Sequence, residues 1–100
     1  MDLGRFSEVG LLVLVGLADG PKHGYALMEE LESLRDRRLG PGTLYGAIAR
    51  LEQQGLIEAL SEADRRRPYR LTKAGREVLS SELTSLSRVV RTGRARLAER

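Results

Sequence analysis

The sequence predicts a mainly α-helical chain that carries one small β-hairpin. Three observations predict it. Apolar side chains recur at i, i+4 and i+7 in separate stretches, the mark of helices with one buried face. Two short runs, Ile57 to Leu60 and Pro68 to Leu71, flank a polar stretch and read as paired strands. Glycine and proline punctuate the chain at Asp19-Gly20-Pro21, Gly40-Pro41-Gly42 and Gly55, which divides the stripes into successive elements.

Ser7 can cap a first helix that runs to about Leu17. Its apolar positions include Val9, Leu11, Leu12 and Val15, and a helix greasy on most sides is buried on most faces. In a chain of 100 residues that hints at cover from a second subunit. Asp19-Gly20-Pro21 stops this helix. A second helix fits about His23 to Leu34. Leu27, Leu31 and Leu34 form its stripe, Tyr25 and Met28 widen it, and Glu29, Glu30 and Glu32 take the wet side. Arg35 to Leu39 is a charged connector.

The third helix is expected over about Pro41 to Gln54. Proline at the first helical position sacrifices no bond, because that N–H would be unpaired anyway. Gly40 serves as N-cap, Leu44, Ile48 and Leu51 form the stripe, and Gly55 is a natural residue just past the end. The hairpin follows: strand Ile57 to Leu60, polar loop Ser61 to Arg67, return strand Pro68 to Leu71. Tyr69 and Leu71 share one face and Arg70 takes the other. Pro68 is tolerable as the start of an edge strand. Thr72 then caps a last helix from Lys73 to near Arg100. Its Leu79, Leu83, Leu86 and Val90 are spaced four, three and four apart, a coiled-coil-like seam that fades at Gly93 and resumes at Leu97. A long helix with such a stripe wants a partner.

Composition bounds the function. Hydrophobic residues make up 41% and charged residues 31%, an ordinary globular balance rather than a disordered one. The absence of cysteine excludes a disulfide framework and a thiolate metal site. The longest apolar run, Leu11 to Val15, is far short of a membrane span, and no basic segment leads to a cleavage site, so the expected compartment is the cytoplasm. The net charge of +3 is unevenly spread. Met1 to Ile57 carries 6 basic and 8 acidic residues, whereas Lys73 to Arg100 carries 7 and 3. The densest basic cluster is Arg65-Arg66-Arg67, which makes a polyanion-facing edge plausible there.

Three helices followed by a hairpin is the order of a winged helix-turn-helix, whose third helix enters the major groove of DNA. With the core stripe removed, the outward positions of the third helix are Thr43, Gly46, Ala49, Arg50 and Gln53, with Gly42 and Tyr45 at the edges. Small side chains let a helix sit deep in a groove about 12 Å wide. The helix N-terminus also offers free N–H groups that suit a phosphate. Gly40-Pro41-Gly42 therefore either allows close backbone approach to DNA or simply makes a tight turn. Tyr45 either reaches a phosphate or base edge or packs its ring over the stripe. Arg50 meets a guanine or phosphate, or pairs with Glu52. Arg65, Arg66 and Arg67 either enter a narrow minor groove or form a solvated loop beside Glu62 and Asp64. Lys22 at the start of the second helix is a candidate phosphate contact, and Arg70 a candidate wing contact.

An enzyme is a poor reading. There is one histidine, no Gly-rich phosphate loop, and no pair of carboxylates on the core side of an element. The Gly-Pro-Gly run lacks the lysine and hydroxyl residue of a P-loop. No metal site and no cofactor are expected.

The blocks "HGYALMEEL", "GTLYGAIARLEQQGLIEA" and "RRPYRLTKAG" occur in this order after a first helix ending "LADGPKHGY". In this the chain resembles the PadR family of bacterial winged-helix transcriptional regulators, from about Leu11 to Gly75. The resemblance implies a dimeric DNA-binding protein, usually a repressor, whose third helix and wing meet an operator with two half-sites. It places Thr43 and Tyr45 at DNA, matches Arg65 to Arg67 to the basic turn of the wing, gives Tyr69 a structural role, and matches Thr72 and Gly75 to the start of the C-terminal helix. A winged-helix domain over 1–72 and a dimerisation helix over 73–100 then follow. The single last helix is that of the shorter subfamily, in which it packs with the first helix of the other subunit. The expected interface is therefore Leu11, Leu12 and Val15 with Leu79, Leu83, Leu86 and Val90. A small-molecule effector is implied as well. Some short members stack flat aromatic ligands on tryptophan, and this chain has none. The rival readings are a protein-interaction module docking through the seam of the last helix, and a non-specific DNA coater, for which +3 is a low charge.

Overall fold

The computed structural model describes residues 8–35, 37–60 and 67–99. The chain runs α1 (Glu8–Gly16), β1 (Lys22–His23), α2 (Gly24–Arg35), α3 (Pro41–Gln53), β2 (Ile57–Ala59), β3 (Pro68–Leu71) and α4 (Lys73–Ala98). Helices thus dominate, beside a three-stranded antiparallel sheet of order β1-β3-β2. The core gathers Val13, Leu14 and Leu17 from the first helix and its turn, Leu27 and Leu31 from α2, and Leu44, Ile48 and Leu51 from α3, with Tyr69, Leu71 and Leu79 closing it. Each fully buried leucine or isoleucine contributes about 1.5–3 kcal/mol.

α1 is apolar all round because it runs through the middle of this core. Gly16 lets α2 approach: a Cβ there would stand 2.7 Å from Leu27 Cδ1 and 3.2 Å from Leu31 Cδ1. The second helix begins one residue later than expected, since Lys22 and His23 form β1 and pair with Tyr69 and Pro68 of β3. Two residues show no alternation to read, so only the partner strand reveals β1. Two members of the expected α2 stripe are corrected. Tyr25 is 68% exposed, because two residues before Leu27 is the opposite side of a 3.6-residue helix. Leu34 has the right azimuth but is 53% exposed, in the last turn beyond the core. The glutamates also do more than stay wet. Glu32 Oε2 accepts from the Leu39 N–H at 2.7 Å, and Glu30 stands 3.5 Å from Lys22 Nζ.

α3 starts and stops as its residues dictate. Gly40 is the N-cap without a side-chain bond, and Pro41 is the first helical residue. Leu39 before the cap and Leu44 in the next turn are both buried, a hydrophobic staple that fixes the angle at which the chain joins the helix. At the other end Gly55 takes φ +76°, and the bonds Leu56 N–H to Leu51 O (3.0 Å) and Gly55 N–H to Glu52 O (3.0 Å) close a Schellman motif.

The hairpin registers Ile57 with Leu71, Glu58 with Arg70 and Ala59 with Tyr69. Because β1 lies on the far side, the return strand is central rather than an edge, which corrects the reading of Pro68. Proline is accommodated as the first residue of the strand, where its carbonyl still accepts from Leu60 N–H at 2.8 Å.

Thr72 fastens α4 to the end of α3. Its hydroxyl accepts from Gly75 N–H at 3.0 Å and donates to Gly55 O at 2.7 Å, while its own N–H donates to Leu56 O at 3.1 Å. Gly75 is buried there, and a Cβ on it would collide with the Leu56 carbonyl. α4 has 26 residues and is about 39 Å long. Its first turns belong to the core and the rest projects. Among the described residues, no helix is long and apolar enough to cross a membrane, and no group of three metal-ligating side chains occurs.

Candidate nucleic-acid interface

Leu44, Ala47, Ile48 and Leu51 anchor α3 inward, so the opposite face is presented outward by the helical period. Gly42, Thr43, Tyr45, Ala49, Arg50 and Gln53 are exposed and Gly46 is half-buried. Arg50 folds back along the helix, its Nη1 3.6 Å from where a Cβ on Gly46 would lie. Among the described residues it forms no ion pair, with Glu52 or otherwise. Its charge is free for an outside partner.

Neither glycine at the start of α3 is needed to make room. A Cβ on Gly40 or on Gly42 would meet nothing within 4 Å. Gly40 sits at φ −73°, ψ 145°, extended geometry open to any residue, and Gly42 is helical. Neither backbone strain nor crowding calls for glycine there.

Tyr45 leans sideways. Its hydroxyl end lies on Gly24, the first residue of α2, and 45% of the residue stays exposed. Around it a cleft of about 500 Å³ opens between the starts of α2 and α3 and the wing strand. His23, Gly24, Tyr25, Ala26, Tyr45, Arg67 and Tyr69 line it. His23 Nδ1 is buried without a partner among the described residues. The cleft joins segments at 23–26, 45 and 67–69, so no local pattern could disclose it.

The wing contributes Arg67, exposed at the foot of β3 and without an ion pair among the described residues. Arg65 and Arg66 lie outside the described residues. Arg70 is on the outer face of the sheet, and its Nε donates to Glu58 Oε2 at 2.7 Å across the strands. Such an exposed pair contributes about 0–1 kcal/mol, so Arg70 is only loosely held.

Lys22 is a correction. Expected to face a phosphate, it instead turns its ammonium to the end of α1, donating to Gly16 O at 2.6 Å and pairing with Asp19 and Glu30. A cation at a helix C-terminus satisfies an orphan carbonyl and the negative end of the dipole. The hydrogen bond from Lys22 and its charge hold the Asp19 carboxyl below the usual carboxylate value, and the same bond to Asp19 raises Lys22 against the opposing effect of burial.

The expected interface between subunits is also redistributed. Leu79 is 5% exposed within its own chain and belongs to the core, so it is not free seam. The first turns of α4 are drawn into the core by Gly75, which sequence spacing does not reveal. Leu83 is 44% exposed, Val90 is exposed, and Leu86 is half-buried. Leu11, Leu12 and Val15 pack on the core with part of each side chain open.

Residues 13–81 match the transcriptional regulator PadR-like family. The chain belongs to this family. It is 38% identical over 88 residues to the transcriptional regulator Rv3488 of Mycobacterium tuberculosis, covering 85% of this chain and 81% of that protein. It is 51% identical over 85 residues to an uncharacterized 37.1 kDa protein in transposon TN4556 of Streptomyces fradiae; the match covers 85% of this chain and only 25% of that relative. Among solved structures it is similar to a PadR family transcription regulator from Clostridium difficile R20291, with TM-score 0.76 and 25% identity, over 90% of this chain and 98% of that one. The fold described above is therefore the winged helix of a PadR-family transcriptional regulator, and PadR-like regulators bind DNA.

Proposed function

We propose that this PadR-family regulator is a cytoplasmic homodimeric repressor that holds a two-half-site operator and releases it on binding a small effector. In this reading α3 enters the major groove with Thr43, Tyr45, Gly46, Ala49 and Arg50 toward the bases. Gly42 brings the helix start against a phosphate, and Arg67 with Arg65 and Arg66 carries the wing to the backbone or minor groove. Lys22 is left out, because its ammonium is already held by the end of α1. Arg70 joins only by leaving Glu58.

The observation that carries the reading is the bare start of α3. Glycine in a helix costs roughly 1 kcal/mol against alanine. Gly42 has open space where a Cβ would go, so the fold does not require that cost. A surface that another molecule must approach closely does. The rest of the outward face agrees, being small or hydrogen-bonding, with no acidic or bulky aliphatic side chain at the groove-facing positions.

In the dimer we place Leu83, Leu86 and Val90 of α4 against Leu11, Leu12 and Val15 of the other subunit, with half-sites about 10 bp apart. Repression and effector release are what the family resemblance implies. An effector at this interface meets aliphatic side chains, not tryptophan.

Selection of bound DNA from a random pool tests the reading, followed by a gel shift on the recovered site and on the region upstream of the chain's own gene. A palindromic site and a reporter that rises when the protein is removed are expected. No shift at low salt, together with a stable complex with another protein, would replace the repressor by the interaction module.

A further inference from the structure

The structure assigns Gly24 a role outside the groove: it is the seat that positions Tyr45 for operator reading. This rests on the proposed contact of Tyr45 with DNA. Gly24 is buried at the first position of α2, twenty-one residues before Tyr45 and on a different helix. A Cβ added to it would stand 2.8 Å from Tyr45 Cζ and 2.9 Å from Cε1, and would run into the hydroxyl. Real Cβ atoms do not approach carbon that closely. The positive-φ glycines among the described residues are Gly20 and Gly55, so at Gly24 a side chain would displace the end of the Tyr45 ring rather than strain the backbone.

The consequence concerns how Tyr45 meets DNA. Its ring has few staggered choices on a helix. One of them is selected by laying the hydroxyl end on the bare start of α2. That leaves the remaining edge of the ring facing the cleft that Arg67 of the wing also lines. Tyr45 therefore arrives at the operator already ordered, and the ordering cost of binding falls. For one immobilised side chain that advantage is on the order of twofold to tenfold in affinity.

The test is a double-mutant cycle on Gly24→Ala, Tyr45→Ala and the pair, in the full chain. Affinity is measured for the selected operator and for random-sequence DNA, and melting is followed by circular dichroism. Gly24→Ala should weaken operator binding on the order of tenfold and random DNA little. In the Tyr45→Ala background it should change neither, since the clash is gone. A Gly24→Ala chain that unfolds while the double variant folds shows the same coupling. Losses that simply add, or a Gly24→Ala chain that binds the operator normally, overturn the positioning role. If Tyr45→Ala alone leaves operator affinity intact, the contact of Tyr45 with DNA is what fails, and the role assigned to Gly24 falls with it.

Discussion

Gly42→Ala separates what the fold needs from what the interface needs. Gly42 is the second residue of α3, and a Cβ there meets nothing within 4 Å, so the methyl introduces no strain. Alanine is favoured over glycine by about 1 kcal/mol in a helix interior, and we take roughly half of that in the first turn. In a domain of this size 1 kcal/mol moves Tm by about 4–8 °C, so the variant should melt about 2–4 °C higher at equal protein concentration. If the helix start meets a phosphate as proposed, the same methyl stands between them. Loss of one close amide–phosphate approach of about 1.4 kcal/mol is a tenfold loss of operator affinity. Thermal melting and fluorescence anisotropy on a labelled operator at fixed salt measure both. The two numbers should move in opposite directions. A higher Tm with unchanged operator affinity would refute the reasoning, because the bare helix start would then serve neither the fold nor the DNA.

The other predictions concern the frame around this helix. Gly75→Ala drives a methyl into the Leu56 carbonyl and shifts the first turn of α4, which costs the Thr72 cap and the Thr72–Leu56 bond, about 1 kcal/mol each; Tm should fall by about 8–16 °C, and an unchanged melt would mean that α4 can slide. Arg67→Ala should reduce the slope of log affinity against log salt by about 0.9 if it neutralises one phosphate, and leave it unchanged if the wing stands clear. Lys22→Met should lower Tm without touching that slope. The stability Lys22 brings is complete below the ordinary lysine pKa of 10.5 and is lost as pH rises through its raised folded value, so the gap in Tm between the two chains should close only in strong alkali. Leu83→Asp should give a folded monomer by sedimentation, whereas Leu79→Asp should unfold the chain, because Leu79 is core and Leu83 is not.

Much of this frame is legible in the sequence where local rules act alone. The start and end of α3 follow from Gly40-Pro41 and Gly55, and the face it buries follows from Leu44, Ile48 and Leu51. The face that Tyr69 and Leu71 share follows from alternation, and the cap of α4 from Thr72. What spacing cannot show is a contact between distant segments. β1 exists only because Tyr69 and Pro68 lie beside it. Lys22 looks like a free cation until the end of α1 folds back to meet it. Leu79 falls in register with Leu83 and Leu86, yet the close approach at Gly75 draws it inward and leaves the others outside. The outward face of α3 was readable as a face, while the seat of Tyr45 on α2 was not.

The glycines make the distinction sharp, because one residue type answers three different demands. Gly55 answers the backbone: its φ of +76° ends α3 in a way a side chain would resist. Gly75 and Gly24 answer the interior, one yielding to the Leu56 carbonyl and the other to the Tyr45 ring. Gly40 and Gly42 answer neither, since both have open space and ordinary geometry. A helix start with glycines that neither demand explains is best accounted for by something outside the chain that comes close. In a winged helix, the start of the third helix is where DNA does so.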